Sequence, residues 1–286
     1  MKKKEPNLAD PAEAMALVCE NGDNLRLIPP HAQLPAICMA AICQNPQALK
    51  HVAEPTPRLC LEAIIEDPEC FRFVKECPPQ FAAKAIRLRP EVIQYMENQT
   101  NGECLDAVSA NGALLQYVKK QTPDICKAAI MQTPDALAFV ENQTKDLCMI
   151  AIRKDFRAMR HVREPGNDLC MMAVRENPFV LKYIRNQTPR ICGIAVHKDG
   201  RALCYVQHQS REICLIALRN APQALQWVLN QTPELCLTAV KKDGLALCHV
   251  RKQTREICDA AIAQNPDAEA YVQSAFAKVP VADNAG

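Results

Sequence analysis

Ten cysteines stand on one 22-residue grid: Cys38, Cys60, Cys104, Cys126, Cys148, Cys170, Cys192, Cys214, Cys236 and Cys258, with Ala82 at the single gap. Thiols at fixed spacing could bind a metal, pair as disulfides or carry redox chemistry. The spacing argues against the first two. Equivalent residues of stacked helical repeats lie about 9–10 Å apart, whereas a disulfide needs Cα atoms within about 7 Å. Zinc needs four ligands about 2.3 Å from one point, and no Cys-x-x-Cys pair occurs. The column therefore reads as a small apolar residue filling a tight helix contact. The remaining thiols, Cys19, Cys43, Cys70, Cys77, Cys204 and Cys248, are scattered. His51, His161 and His249 replace aromatic residues in a second column, and no nucleophile or base accompanies them. No catalytic residue, cofactor site or metal site is assigned.

Charge offers a different chemistry. Arg153, Arg175, His197, Arg219 and Lys241 occupy one position in five consecutive repeats, with Lys154, Lys198 and Lys242 beside them. Stacked in register they form a basic ridge, a candidate surface for nucleic acid or an acidic protein. A plainer origin competes with it. Asp146, Asp168, Glu212, Glu234 and Glu256 stand in the first turn of the same helices. Acids at helix starts and bases at helix ends complement the helix dipole. They also make the face locally neutral, which weakens attraction of a polyanion, so a protein partner is preferred to nucleic acid. Nor do exposed aromatics interleave with the bases in the manner of a stacking platform.

The elements that must position these residues follow from the same period. Three residues after each grid point stands an alanine, from Ala41 to Ala261. The clearest unit runs from Gln231 to Val250. Thr232-Pro233-Glu234 is a helix start: a hydroxyl cap, proline at the first position and an acid in the first turn. Helix A then runs for about ten residues, and its apolar positions Leu235, Cys236, Leu237, Ala239 and Val240 cover an arc of roughly 200°. Such a width predicts a helix sandwiched between its partner and the next repeat. Asp243-Gly244, like Asn21-Gly22, Asn111-Gly112 and Asp199-Gly200, suits a left-handed cap. Elsewhere Asn45-Pro46 or Asn177-Pro178 stands there. Both signals stop helix A and start a helix B of about eight residues, as in Leu225, Trp227 and Val228. Neither helix is long enough to stand alone, so stacking must supply the core.

The repeated phrase Asn-Gln-Thr-Pro-Glu-Leu-Cys…Ala-Val…Gly…Ala-Leu…Val resembles an uncharacterised family of short helical repeats, a domain of unknown function found in bacteria, protists and giant viruses. The resemblance spans about residues 31 to 272. It implies an architecture and carries no activity. Asn101, Lys145, Asn167, Arg211 and Arg255 depart from its proline, and Glu103 stands at an apolar position.

The expected fold is all-α, a right-handed α-solenoid of about twelve 22-residue helix-turn-helix repeats. It runs over residues 11–273, with degenerate capping repeats at both ends, a flexible basic stretch at 1–10 and a disordered tail at 274–286. Net charge is +2, too balanced to name a polyanionic partner by itself. Sixteen cysteines but only eight glycines do not fit a disulfide-stapled secreted domain. Met1 to Pro11 lacks the apolar core of a signal peptide, and no run approaches the roughly 18 apolar residues that span a bilayer. The four Asn-Gln-Thr sequons recur because the capped loop recurs. These features predict a cytoplasmic protein of a reducing compartment, with no membrane partner and no cofactor. The expected function is a non-catalytic protein-interaction scaffold. Nucleic-acid binding through the basic ridge is the alternative, and thiol-redox or metal-dependent activity is weaker still.

Overall fold

A computed structural model describes residues 8–75 and 77–273. Of the stretches expected to be flexible at 1–10 and disordered at 274–286, residues 1–7 and 274–286 lie outside the described residues, while Asp10 is the N-cap of the first helix. The chain is an all-helical α-solenoid repeat without strands among the described residues. Its contacts divide it into two compact units that meet between Gln143 and Thr144. The first holds α1 (Pro11–Glu20), α2 (Pro35–Gln44), α3 (Pro57–Glu66), α4 (Pro79–Leu88), α5 (Asn101–Ala110) and α6 (Pro123–Gln132). The second holds α7 (Lys145–Lys154), α8 (Asn167–Glu176), α9 (Pro189–Lys198), α10 (Arg211–Asn220), α11 (Pro233–Lys242) and α12 (Arg255–Gln264). Within each unit successive α-helices pack in one layer, and the segments that follow them pack in another.

Hydroxyl caps set the helix starts. Thr122, Thr188, Ser210 and Thr232 each accept the backbone N–H three residues on, at 3.3–3.4 Å. Glu103 gains its explanation here. It closes a capping box with Thr100, accepting the Thr100 N–H at 2.8 Å. The apolar position is given up for a second satisfied donor.

The helix ends differ from expectation. No described residue, glycine included, has a positive φ. The residue after each α-helix is extended, with φ of −147° at Asn111 and −148° at Asp199. That one residue both ends the α-helix and caps the next segment: Asn111 Oδ1 accepts the Ala113 N–H at 3.1 Å, and Asp199 Oδ1 accepts that of Arg201 at 2.9 Å. Glycine follows for a different reason from a left-handed cap. A Cβ at Gly112 or Gly200 would run into the carbonyl oxygen of Ala129 or Ala217 in the next repeat. The glycine column is a close approach between repeats.

Helix B is a 3₁₀ helix of six residues, shorter and tighter than the expected eight, as in Gly200–Tyr205 and Pro222–Trp227. Three residues per turn eclipse positions i and i+3. This stacks Ala202 under Tyr205 and Leu203 under Val206; Ala202, Leu203 and Val206 are buried and Tyr205 is half-buried. Burial matches the columns. The alanines from Ala41 to Ala261 are at 0% exposure, and the grid cysteines are at 2–4%.

The cysteine column has a partner that the sequence reading passed over. Five residues before most grid cysteines stands a glutamine that clamps consecutive repeats. Gln187 Nε2 donates to the Leu181 carbonyl at 3.0 Å and to the Tyr205 carbonyl at 2.9 Å. Its Oε1 accepts the Gln207 N–H at 3.0 Å and the Cys192 thiol at 3.6 Å. Gln121 repeats this in the first unit with Phe139, Glu141 and Cys126. Both amide donors and both carbonyl lone pairs are used. The cysteine is thus more than filler, since its S–H orients the clamp. Where Pro165 replaces the glutamine, Cys170 Sγ donates to the Pro165 carbonyl instead, at 3.7 Å.

Candidate functional site

Helix A was expected to bury an arc of roughly 200°. The fully buried positions, such as Leu235, Cys236, Ala239 and Val240, cover only about 140° of it. Leu237, at the edge, is half-exposed. The surplus apolar arc therefore faces outward. On α7–α11 it forms a stripe: Ile150, Met171, Met172, Ile194, Leu215, Ile216 and Leu237 are all half-exposed.

This stripe has ordered borders. At about 100° per residue, the first-turn residue, the two central residues and the last-turn residue share one outer face. Acids occupy the first-turn row at Asp146, Asp168, Glu212 and Glu234, and bases occupy the last-turn row. The face thus runs from acidic through apolar to basic across α7, α8, α10 and α11.

The candidate ridge sorts into two sets, although all eight of its residues are exposed. Lys198 Nζ donates to the Glu176 carbonyl at 2.8 Å and to that of Arg175, and Lys242 donates to the Arg219 carbonyl. Each lysine caps the C-terminal carbonyls of the preceding α-helix. Asn220 does the same for Val196 and His197, at 3.1 and 2.7 Å. At this position the plain, structural origin of the charge prevails. Glu176 has no proton to donate and pairs with Arg153 Nη2 at 3.0 Å instead. Lys154 holds the equivalent position on α7. The other row, Arg175, His197, Arg219 and Lys241, points outward, and among the described residues no ion pair engages it.

The acid row has one exception. At α9 its position is held by Arg190. There the central column also breaks, with Gly193 standing where neighbouring repeats carry Met149, Met171, Leu215 and Leu237. A Cβ built on Gly193 meets nothing within 4 Å. The result is a shallow depression of about 550 Å³ between α8, α9 and α10. Ile194 and Ile216 form its floor; Arg175, Arg190, His197 and Lys198 form its rim. Both breaks are legible in the sequence as departures from a column three residues apart on one helix; the structure adds Arg175 of α8 and Ile216 of α10 around them.

The grid thiols have little reactivity to offer. All sixteen cysteines of the chain are free. Burial pushes the grid thiols above the ordinary cysteine range, and with Asp67 and Glu69 nearby it takes Cys70 up to about 12. Protonated thiols are poor nucleophiles. Among the described residues no three His, Cys, Asp or Glu side chains gather as a metal site requires. His51, His161 and His249 are half-buried in the aromatic column, as the sequence predicts. No described helix is long and apolar enough to cross a membrane.

Among known proteins, no family model, curated sequence or solved structure matches the chain.

Proposed function

We propose that this protein is a non-catalytic binding scaffold, and that it holds a protein partner on the outer face of α7–α11. One observation carries the reading: a half-exposed apolar stripe repeated over α7–α11, bordered by a basic row and, on every one of these helices but α9, by an acid. Isolated exposed apolar residues are ordinary, but a continuous stripe rimmed by charge is characteristic of interaction surfaces. Repeat arrays use such faces for binding. A partner segment with an apolar strip, basic along one edge and acidic along the other, would match it. Free thiols held protonated fit a reducing compartment, and we read the chain as one of the uncharacterised short-repeat family that its phrase resembles.

Nucleic acid is the second reading, and the outward row Arg175, His197, Arg219 and Lys241 favours it. Against it, the parallel acids lower the net potential, while Arg153, Lys198 and Lys242 are already engaged within the fold.

The test is affinity capture from the native cell with quantitative mass spectrometry, with and without nuclease. The full chain is compared with the variant Met172→Ser, Ile216→Ser. The expected result is a stoichiometric partner that resists nuclease and is lost with the variant. Recovery that is abolished by nuclease, falls steeply with salt and disappears in Arg175→Glu, Arg219→Glu, Lys241→Glu would transfer the function to nucleic acid.

A further inference from the structure

The depression on α9 differs from the rest of the face in two independent ways, and both point to a ligand. The first is a missing volume. Glycine is a poor residue for the middle of a helix, and Gly193 has no steric need to be one, since a Cβ there meets nothing within 4 Å. Its effect is to leave open the space that leucine or methionine fills in the neighbouring repeats, above the apolar floor of Ile194 and Ile216.

The second is a charge reversal. Each of the other helices of α7–α11 carries an acid in its first turn as well as a base in its last turn. At α9 Arg190 replaces that acid, so Arg175, Arg190 and His197 face the depression together. Of the acids on the flanking helices, Asp168 lies 3.9 Å from Lys145, Glu176 is held by Arg153, and Glu212, the next residue of the row after Arg190, is held at its own helix start by Ser210. Among the described residues no ion pair engages Arg175, Arg190 or His197, and Lys198 is turned onto the carbonyls of Arg175 and Glu176. A basic rim around an apolar floor complements an apolar group with carboxylates beside it.

We propose that this depression is the anchor subsite of the face: it takes one large apolar side chain of a partner protein segment that carries Asp or Glu on either side of that residue. The proposal rests on the scaffold reading above and adds the chemistry of the partner to it.

A phage-displayed library of random linear peptides, selected on the full chain, tests both. Enriched peptides are then measured against three full-length variants. Gly193→Leu fills the depression while improving the helix, Arg190→Glu restores the acid row, and Ile150→Ser alters the same face away from α9. Folding is checked by circular dichroism and by the fluorescence of Trp227. The expected peptides share one large apolar residue flanked by acids, and they bind Gly193→Leu and Arg190→Glu at least tenfold more weakly. Peptides without acids, or peptides indifferent to both substitutions, would overturn the anchor. If such peptides still weaken with Ile150→Ser, the scaffold reading stands and only the α9 assignment falls. If no enriched peptide responds to any of the three variants, both fall. Preferential capture of a single-stranded oligonucleotide, lost in Arg190→Glu, would assign the site to nucleic acid and overturn the proposal.

Discussion

The outer faces of α2–α6 and of α7–α11 stand on the same ten-residue helix and the same inner columns, yet they are unlike. On α2–α6 the central positions read Met39-Ala40, Leu61-Glu62, Ala83-Lys84, Leu105-Asp106 and Lys127-Ala128. The last turns read Cys43, Ile65, Arg87, Ser109 and Met131, without order of size or sign. On α7–α11 the same positions sort into apolar and basic rows. The inner columns do not differ: Ala107 and Ala173 are both fully buried, and Gln121 and Gln187 make the same clamp. Folding thus constrains the inner face equally in both units and leaves the outer face free. Order on a face that folding leaves free calls for another cause, and binding is the one proposed.

The comparison can be broken in several ways, beginning with the largest effect. High pH acts on both inner columns. Burial holds each grid thiol's native value above its unfolded value of about 8.5. Below that pH both states keep the proton and stability is full. Above it only the unfolded chain releases protons, so stability falls until the native values are passed. Urea midpoints should therefore drop steadily above about pH 8.5, and Cys126→Ala together with Cys192→Ala should flatten the slope. A midpoint insensitive to pH would mean that the thiols are not held protonated by burial.

Overpacking comes next. Ala107→Leu and Ala173→Leu should each cost about 1–3 kcal/mol by urea denaturation. A large effect in only one unit would refute the equivalence of the inner faces. Gln121→Ala and Gln187→Ala should each cost about 1–2 kcal/mol, because carbonyls of two repeats lose their shared donor. Equal costs would sharpen the clamp as a common device.

On the outer face the units should part. Leu105→Ser and Ile216→Ser should each change stability by less than about 1 kcal/mol. Partner capture should fall at least tenfold only for Ile216→Ser. The smallest effect separates the two basic sets. Lys198→Met should cost about 0.3–1 kcal/mol through the lost helix cap, whereas Arg219→Met should leave the urea midpoint unchanged. Equal costs would undo the division between capping and outward-facing charges.

The columns were open to reading without coordinates, because a strict period leaves each buried position one size and polarity to satisfy. That logic delivered the repeat count, the hydroxyl caps and the buried alanines. It failed where two repeats must meet. Gln187 looks like an ordinary polar loop residue until its amide is seen joining carbonyls of consecutive repeats. Gly200 looks like a turn former until the Ala217 carbonyl is seen where its Cβ would be. Lys198 and Arg175 look alike as bases at a helix end, and only the packing turns one onto carbonyls and leaves the other facing out.

The amino-acid pattern by itself determined that this chain is a helical repeat, where each helix begins and which residues line its core, since these depend on propensity and period within one unit. The tertiary structure alone decided that the surplus apolar arc faces outward, which cations remain available, and that Arg175 of α8 and Ile216 of α10 close a depression around Gly193. Those are properties of neighbouring repeats packed together, and they arise from distances that no spacing along the chain encodes.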